Sequence, residues 1–200
     1  KRSQRTWKNI CMSNIYFTSD THFGHANIAS KNTSKWKEGW RDYADLHEMN
    51  KDLTSNINKT VMQDDVLYHL GDWSFGGIDN IWKFRKQIQC DNIHLILGNH
   101  DHHIEENKLI TIPTEDLDLA FHRFGIMNTT FHVRDLFKSV QHYKEVIING
   151  RVYVLCHYAF RVWHGSHKGW INLYGHSHDT LDCDRKTGKL NEYGKSMDCS

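Results

Sequence analysis

The residues of this chain best equipped for chemistry are oxygen and nitrogen donors placed at the ends of short apolar runs. The run that closes on Leu95-Ile96-Leu97 stops at Gly98 and is followed by Asn99-His100-Asp101. An apolar run of that length, bounded by a turn signal, reads as a buried strand. Gly98 lets the backbone turn sharply or approach another group closely. Asn99 then offers a neutral amide oxygen, His100 an imidazole and Asp101 a carboxylate. Other runs end in the same way. Residues 14–20 lead into Asp20-Thr21-His22-Phe23-Gly24-His25, where Asp20 and His22, two apart in extended chain, point to the same side. Residues 65–70 close on Gly71-Asp72, residues 151–156 on His157, and residues 170–174 on Gly175-His176-Ser177-His178.

Collected together, Asp20, His22, Asp72, Asn99, His100, His157, His176 and His178 are hard or borderline donors with no sulfur among them. Such a set suits a divalent ion such as Mn, Fe, Zn or Ni. The donors are too many for one four-coordinate structural zinc. They suffice for two ions that share a bridging carboxylate. Two-metal sites clamp the attacking and leaving oxygens of phosphate ester hydrolysis.

The elements that must position these residues alternate. A strand over 14–20 is followed by residues 26–40, which have no clear period and read as an exposed loop with one helical turn. Apolar residues at Tyr43, Leu46, Met49, Leu53 and Ile57 have helical spacing and predict a surface helix to about Lys59. A strand over 65–70 precedes a helix from Asn80 to Gln89 capped by Asp79. The strand before Gly98 follows. Pro113, the only proline, begins a helical stretch over 114–124. Residues 128–140 show no pattern. Residues 143–148 and 151–156, joined by Asn149-Gly150, form the clearest hairpin. A further strand covers 170–174, and the tail from Asp179 reads as another hairpin with its turn at 186–189. In α/β sheets the C-terminal edge of the strands is where ligands bind. Residues 1–11 are expected to be leader sequence before Met12, with one domain over 12–200.

Composition narrows the class. The 200 residues carry a net charge of +1, so the whole chain has no strong nucleic-acid or membrane footprint. Sixteen histidines raise the expectation of metal or acid–base chemistry. Five cysteines, odd in number and never spaced C-x-x-C, point to reduced thiols in an intracellular, cytoplasmic protein. No run approaches membrane-spanning length.

The blocks Asp20-x-His22, Gly71-Asp72, Gly98-Asn99-His100-Asp101, His157 and Gly175-His176-Ser177-His178 resemble, in order, the five motifs of the calcineurin-like metallophosphoesterase superfamily. The Ser19-to-His25 version, and the segment from His157 to His178 with its Arg161-Val162-Trp163, resemble the small capless enzymes of bacteria and phages. The resemblance implies a four-layer α/β/β/α sandwich of two mixed sheets, with the metal site at the strand C-terminal edge. It implies that Asp20, His22, Asp72 and His178 hold one divalent ion, and Asp72, Asn99, His157 and His176 the other. Mn is the ion expected in vitro, with Fe, Zn or Ni as alternatives. A metal-bridging hydroxide would attack phosphorus in line, His100 would stand at the leaving group or a phosphate oxygen, and Asp101 would orient His100. The function implied is a two-metal phosphodiesterase or phosphatase, located in a bacterial cell or phage-infected host.

Outside the motifs, His25 could line the pocket and Arg161 could grip a phosphate oxygen, against the simpler readings of a solvent-facing histidine and a surface ion pair. His164 and His167 are expected to face solvent, and Cys156 to be a small core residue. Trp36, Trp40, Trp73 and Trp163 could stack on a base but fit buried packing better. The expected partner is a small phosphate ester or nucleotide. The alternative is a nuclease, for which nucleic acid is the partner; a protein-interaction scaffold on the same fold would be expected to lack ligands, and none is missing here.

Overall fold

In chain order the elements are β1 (Ile15–Thr18), α1 (Ala26–Ala29), α2 (Leu46–Thr60), β2 (Val66–His69), α3 (Ile78–Arg85), β3 (Asn92–Ile96), α4 (His102–Glu105), β4 (Leu109–Thr111), α5 (Leu117–Phe124), β5 (Thr130–His132), β6 (Ser139–Gln141), β7 (Tyr143–Ile148), β8 (Arg151–Cys156), β9 (Ile171–Tyr174) and β10 (Ser196–Asp198). The computed structural model describes residues 13–35, 39–178, 180–181 and 195–200. The expected leader, Trp36 and the turn over 186–189 lie outside them.

Two four-stranded sheets carry the site. The first has the order β1-β2-β3-β6, with every pairing parallel. The second has the order β10-β9-β8-β7, parallel except for the β7–β8 hairpin. Only the second sheet is therefore mixed. The first is parallel throughout because helices connect β1, β2 and β3, and its strands are apolar on both faces. On one face Leu67, Ile93 and Leu95 pack with Ile81 and Phe84 of α3 and with Leu53 and Ile57 of α2. On the other, Tyr68, Leu70 and Ile96 meet Val146, Leu155 and Leu173 of the second sheet. Helices, parallel sheet and mixed sheet make three layers among the described residues. No α-helix among them contributes to the cluster between the sheets.

Local chemistry sets where the helices begin. Asp45 caps α2 by accepting from the Glu48 amide at 2.8 Å, while the Glu48 carboxylate accepts from the Ala44 amide at 2.6 Å. That reciprocal pair starts the helix at Leu46, later than the apolar period alone suggests. In α3 the cap is Gly77, at φ 99°, rather than Asp79, which falls in the first turn and faces the positive end of the helix dipole. The turn at Asn149 and Gly150 has φ of 51° and 75°, the two left-handed residues that a two-residue hairpin needs. Residues 128–140 resolve into β5, a 3-10 turn at Val133–Leu136 and β6, each too short to show a period. The described end of the tail, β10, runs parallel to β9.

Beneath the strand ends lies a buried polar chain. The Gly71 amide donates to His69 Nδ1 at 3.3 Å, so the neutral ring carries its proton on Nε2 and donates to Thr21 Oγ1 at 2.9 Å. Thr21 Oγ1 in turn donates to the Trp73 carbonyl at 2.9 Å. This chain ties the end of β1 to the end of β2. His69 is fully buried, and burial drives its pKa down to about 3. In the unfolded chain the ring titrates near its ordinary value of about 6.5. Between those values the unfolded state binds a proton that the folded state refuses, so stability falls as pH falls through that window. Urea unfolding at pH 7 and pH 5 is expected to show the native protein losing about 2 kcal/mol more than a His69→Gln variant. Equal losses in both proteins would show that His69 is not held neutral.

Candidate metal centre

The C-terminal ends of β1, β2, β3, β8 and β9 deliver the donors. Asp20 and His22 follow β1, Asp72 follows β2, Asn99 and His100 follow β3, and His157 follows β8. His176 and His178 follow β9. They gather into two groups, Asp20, His22 and His178 in one and Asp72, His157 and His176 in the other. Within each group the ligand atoms lie within 4.8 Å of one another. Asp20 Oδ1 stands 3.5 Å from His22 Nε2 and 3.4 Å from His178 Nε2. Asp72 Oδ2 stands between the groups, 3.7 Å from His22 Nε2 and 3.6 Å from His157 Nε2.

Such convergence needs unusual backbone. Seven non-glycine residues among those described have left-handed φ, and five of them are Asp20, His22, Asp72, His176 and His178. Each costs roughly 1–3 kcal/mol unless its surroundings enforce it. Close approach matters equally. A Cβ on Gly98 would collide with Oδ1 and the amide nitrogen of Asp72, and one on Gly71 would meet the Gly98 amide at 2.6 Å. Glycine is required here for proximity, and Gly98 itself has no positive φ.

The donor set is short of protons in a way that a cation resolves. His157 Nδ1 faces the Leu70 carbonyl at 2.7 Å, so Nδ1 carries the proton. In the neutral ring Nε2 then turns a lone pair toward Asn99 Oδ1 at 3.1 Å and toward Asp72 Oδ2. Both ring nitrogens of His22 and Oδ1 of Asp20 are buried without a hydrogen-bond partner. Buried polar atoms are rarely left so, and lone pairs aimed at one another are what a divalent ion would bind. Burial would raise the Asp20 pKa, but the His22 ring and the His176 amide hold it well below the usual carboxylate range.

Asp101 acts differently from expectation. Its carboxylate accepts from the amides of Asp72 at 2.8 Å, Trp73 at 2.9 Å and Gly98 at 2.9 Å. It pins the Asp72 and Gly98 loops together and bonds these amides rather than the His100 ring, because three amide donors already claim its oxygens. Burial pushes its pKa up to about 6 against the pull of those donors. The His100 amide donates to Asp72 Oδ1 at 2.9 Å, and its ring faces the cleft. Burial lowers the His100 pKa, Asp72 opposing.

The groups open into a cleft of about 600 Å³ whose lining includes His25, Trp40, Arg41, Asn99, His100 and His176. His25 therefore reaches the cleft, where burial and the neighbouring His22, His100 and Arg41 lower its pKa to about 4. A neutral imidazole results at pH 7. Arg161 does not line the cleft; it lines a separate cavity of about 840 Å³ with Phe160, Trp163 and Lys195. Of the tryptophans, Trp40 lines the cleft while Trp73 is fully buried and Trp163 nearly so. His164 is exposed and pairs with Glu145 at 2.8 Å, and Cys156 is buried.

Three residues escaped sequence reasoning. Phe75 stacks on His25 with ring centroids 3.8 Å apart and approaches His100 at 4.4 Å. Tyr158 stands edge-on to His157 at 5.0 Å and to His176 at 4.9 Å. Arg41 bonds the backbone of the first ligand loop. Phe75 and Tyr158 each lie within three residues of a motif histidine or aspartate, which is a usable signal; Arg41 has none.

A family model described as calcineurin-like phosphoesterase matches residues 13–195. The chain is 31% identical over 182 residues to the Gene 66 protein of Mycobacterium phage D29, covering 85% of this chain and 81% of that protein. It is 38% identical over 103 residues to an uncharacterized protein of Methanocaldococcus jannaschii. That match covers 50% of this chain and spans about half, 54%, of the archaeal protein. A protein of unknown function from Aquifex aeolicus superposes with a TM-score of 0.54 at 20% identity, covering 94% of this chain and 89% of that one. That last likeness is one of fold.

The packing of Gly98 against Asp72 is directly testable. Gly98→Ala is expected to displace the Asp72 carboxylate and weaken Mn binding by about ten- to a hundredfold, the cost typical of disturbing what orients a ligand. Calorimetric titration giving unchanged affinity would show that the loops can separate without harm.

Proposed function

The chain belongs to the calcineurin-like phosphoesterase family, and from that premise we propose that it is a two-metal hydrolase of phosphate esters. The observation that carries this reading is the position of Asp72 Oδ2 between His22 of one donor group and His157 of the other. One carboxylate touching both groups suits a bridge between two ions. On this reading Asp20, His22, Asp72 and His178 hold the first, and Asp72, Asn99, His157 and His176 the second. Mn is the ion proposed for reconstitution, with Fe, Zn and Ni as the other candidates. When bound, the two ions supply Lewis-acid polarisation of the phosphoryl oxygens and a water acidic enough to serve as nucleophile near neutral pH.

The chain's own groups do the rest. His157 is fixed in one tautomer by the Leu70 carbonyl, which keeps Nε2 open as a ligand. Asp101 holds the Asp72 and Gly98 loops in register through their amides. His100 is exposed and lines the cleft, which supports the reading that it donates to the departing oxygen without serving as a ligand. Phe75 fixes the faces of His25 and His100. A cleft of about 600 Å³ admits a small phosphate ester or a nucleotide end. A nuclease would be expected to present a basic groove, and the net charge of +1 does not favour one. Among the described residues no helix is long and apolar enough to cross a membrane.

Two measurements test the reading. Asp72→Asn is expected to lose metal and activity together, since one bridge serves both ions; near-normal turnover with full metal content would remove Asp72 from that role. His100→Ala is expected to keep its metals and to retain much activity on nitrophenyl esters, whose leaving group departs unaided. On alkyl or nucleotide esters the loss should reach about 10² to 10⁴ in rate. A flat ratio of native to variant rates across leaving groups of rising pKa would reduce His100 to a hydrogen-bond donor on a phosphate oxygen.

A further inference from the structure

The first donor loop is held along both edges of its backbone, and only one of those holds belongs to the sheet. The amides of Asp20, His22 and Phe23 donate to the carbonyls of Gly71, Asp72 and Trp73 at 2.9, 3.0 and 3.1 Å. That edge is a continuation of the β1–β2 pairing. The carbonyls of Asp20 and Thr21 are taken by a side chain from elsewhere. Arg41 Nη2 donates to Asp20 O at 2.5 Å, and Nη1 donates to Thr21 O at 3.0 Å. Asp20 and Thr21 are both buried. Asp20 and His22 have φ of 52° and 48°, so left-handed residues stand on either side of Thr21 in the segment that carries the two carbonyls.

Arg41 is itself anchored away from the donors. Its amide donates to the Ile28 carbonyl at 2.6 Å, and Nη1 also lies 3.9 Å from Met49 Sδ in α2. Ile28 and Met49 pack together in a small cluster with Ala29. The guanidinium therefore joins the α1–α2 layer to the one loop that supplies Asp20 and His22. Its planar fork matches two successive carbonyls, which a single ammonium does not.

We propose that Arg41 is a positioning residue for the first ion: its guanidinium clamps the Asp20 and Thr21 carbonyls and so holds the left-handed turn that aims Asp20 and His22. The proposal rests on the two-metal reading above. It goes beyond that reading because Arg41 touches neither the donors' ligand atoms nor the second group of donors. The clamp should act chiefly on the group of Asp20, His22 and His178, because Asp20 and His22 are the donors carried by the clamped loop, whereas Asp72, His157 and His176 follow β2, β8 and β9.

The test is a calorimetric Mn titration of the native protein, Arg41→Ala and His178→Ala, with the EPR spectrum recorded at two equivalents of Mn. His178→Ala removes a donor from the first group only and so marks which binding step belongs to it. Arg41→Ala is expected to weaken that same step by about ten- to a hundredfold and leave the other unchanged. Its EPR spectrum should show isolated Mn in place of the exchange-coupled pair. Unchanged titration overturns the proposal, as does equal weakening of both steps, which is what a general loss of structure would give. If Arg41→Ala does not fold, Arg41→Lys is titrated instead: it keeps the charge and the stem but not the fork. The same selective weakening is expected there, and native affinity at both steps overturns the clamp. Native protein that binds fewer than two ions overturns both this proposal and the two-metal reading. Selective weakening in a protein that hydrolyses no phosphate ester supports the clamp and overturns the hydrolase reading.

Discussion

Asp72 is the group on which the arrangement depends. Its backbone amide donates to Asp101, its carbonyl accepts from His22, and its Oδ1 accepts from the His100 amide. Its Oδ2 is left facing His22 of one donor group and His157 of the other. A carboxylate this deeply buried is costly unless compensated, and the compensation supplied by the protein uses only one of its two oxygens. The remaining oxygen faces imidazoles, and the His157 ring, protonated on Nδ1, offers it a lone pair. The fold thus concentrates acceptor density at one point and leaves the neutralising charge to come from outside.

The cost of this concentration is spread through the backbone. Left-handed residues stand at Asp20, His22, Asp72, His176 and His178, while the hairpin turn accounts for Asn149. Strain of that kind persists only where the surroundings over-determine it. Here they do so by hydrogen bonds to backbone atoms: three amides on Asp101, two carbonyls on Arg41 and one carbonyl under His157. Asp101 and Arg41 spend these bonds on loop backbone rather than on another side chain's charge. They act on the loops, and the loops aim the ligands.

That division explains what could be read from the sequence. The donors were legible because ligand chemistry restricts residue type, and because the ends of apolar runs mark strand ends. The hairpin was legible because Asn149-Gly150 meets a conformational requirement few other pairs meet. The alternation of strands and helices over β1, β2 and β3 was legible, yet the expectation of two mixed sheets failed for the first, which is parallel throughout and gains β6 from three residues too few to show a period. Asp101 was placed in the site but given the wrong partner, because a carboxylate beside a histidine suggests a side-chain pair and its real partners are amides without sequence identity. Arg41 left no trace for the same reason: a carbonyl can belong to any residue. Arg161 was drawn toward the ions by its distance from His157 in sequence, but the loop carries it to the cavity that Phe160 and Trp163 line.

Why donors from two sheets meet at all is a matter of one connection. β6 ends at Gln141 and β7 begins at Tyr143, so a single residue passes the chain from the first sheet to the second. β6 runs parallel to β3, and β8 returns antiparallel to β7, so β8 and β9 enter the second sheet in a fixed sense. The interface of Tyr68, Leu70 and Ile96 with Val146, Leu155 and Leu173 then sets the depth at which the sheets lie against each other. Leu70 serves both purposes. Its side chain is buried in that interface, and its carbonyl fixes the His157 ring. A change in packing between the sheets would therefore reach the candidate metal centre through Leu70 and the His157 ring. The hydrophobic contact and the tautomer of His157 are coupled through one residue, which ties the inter-sheet core to the candidate site.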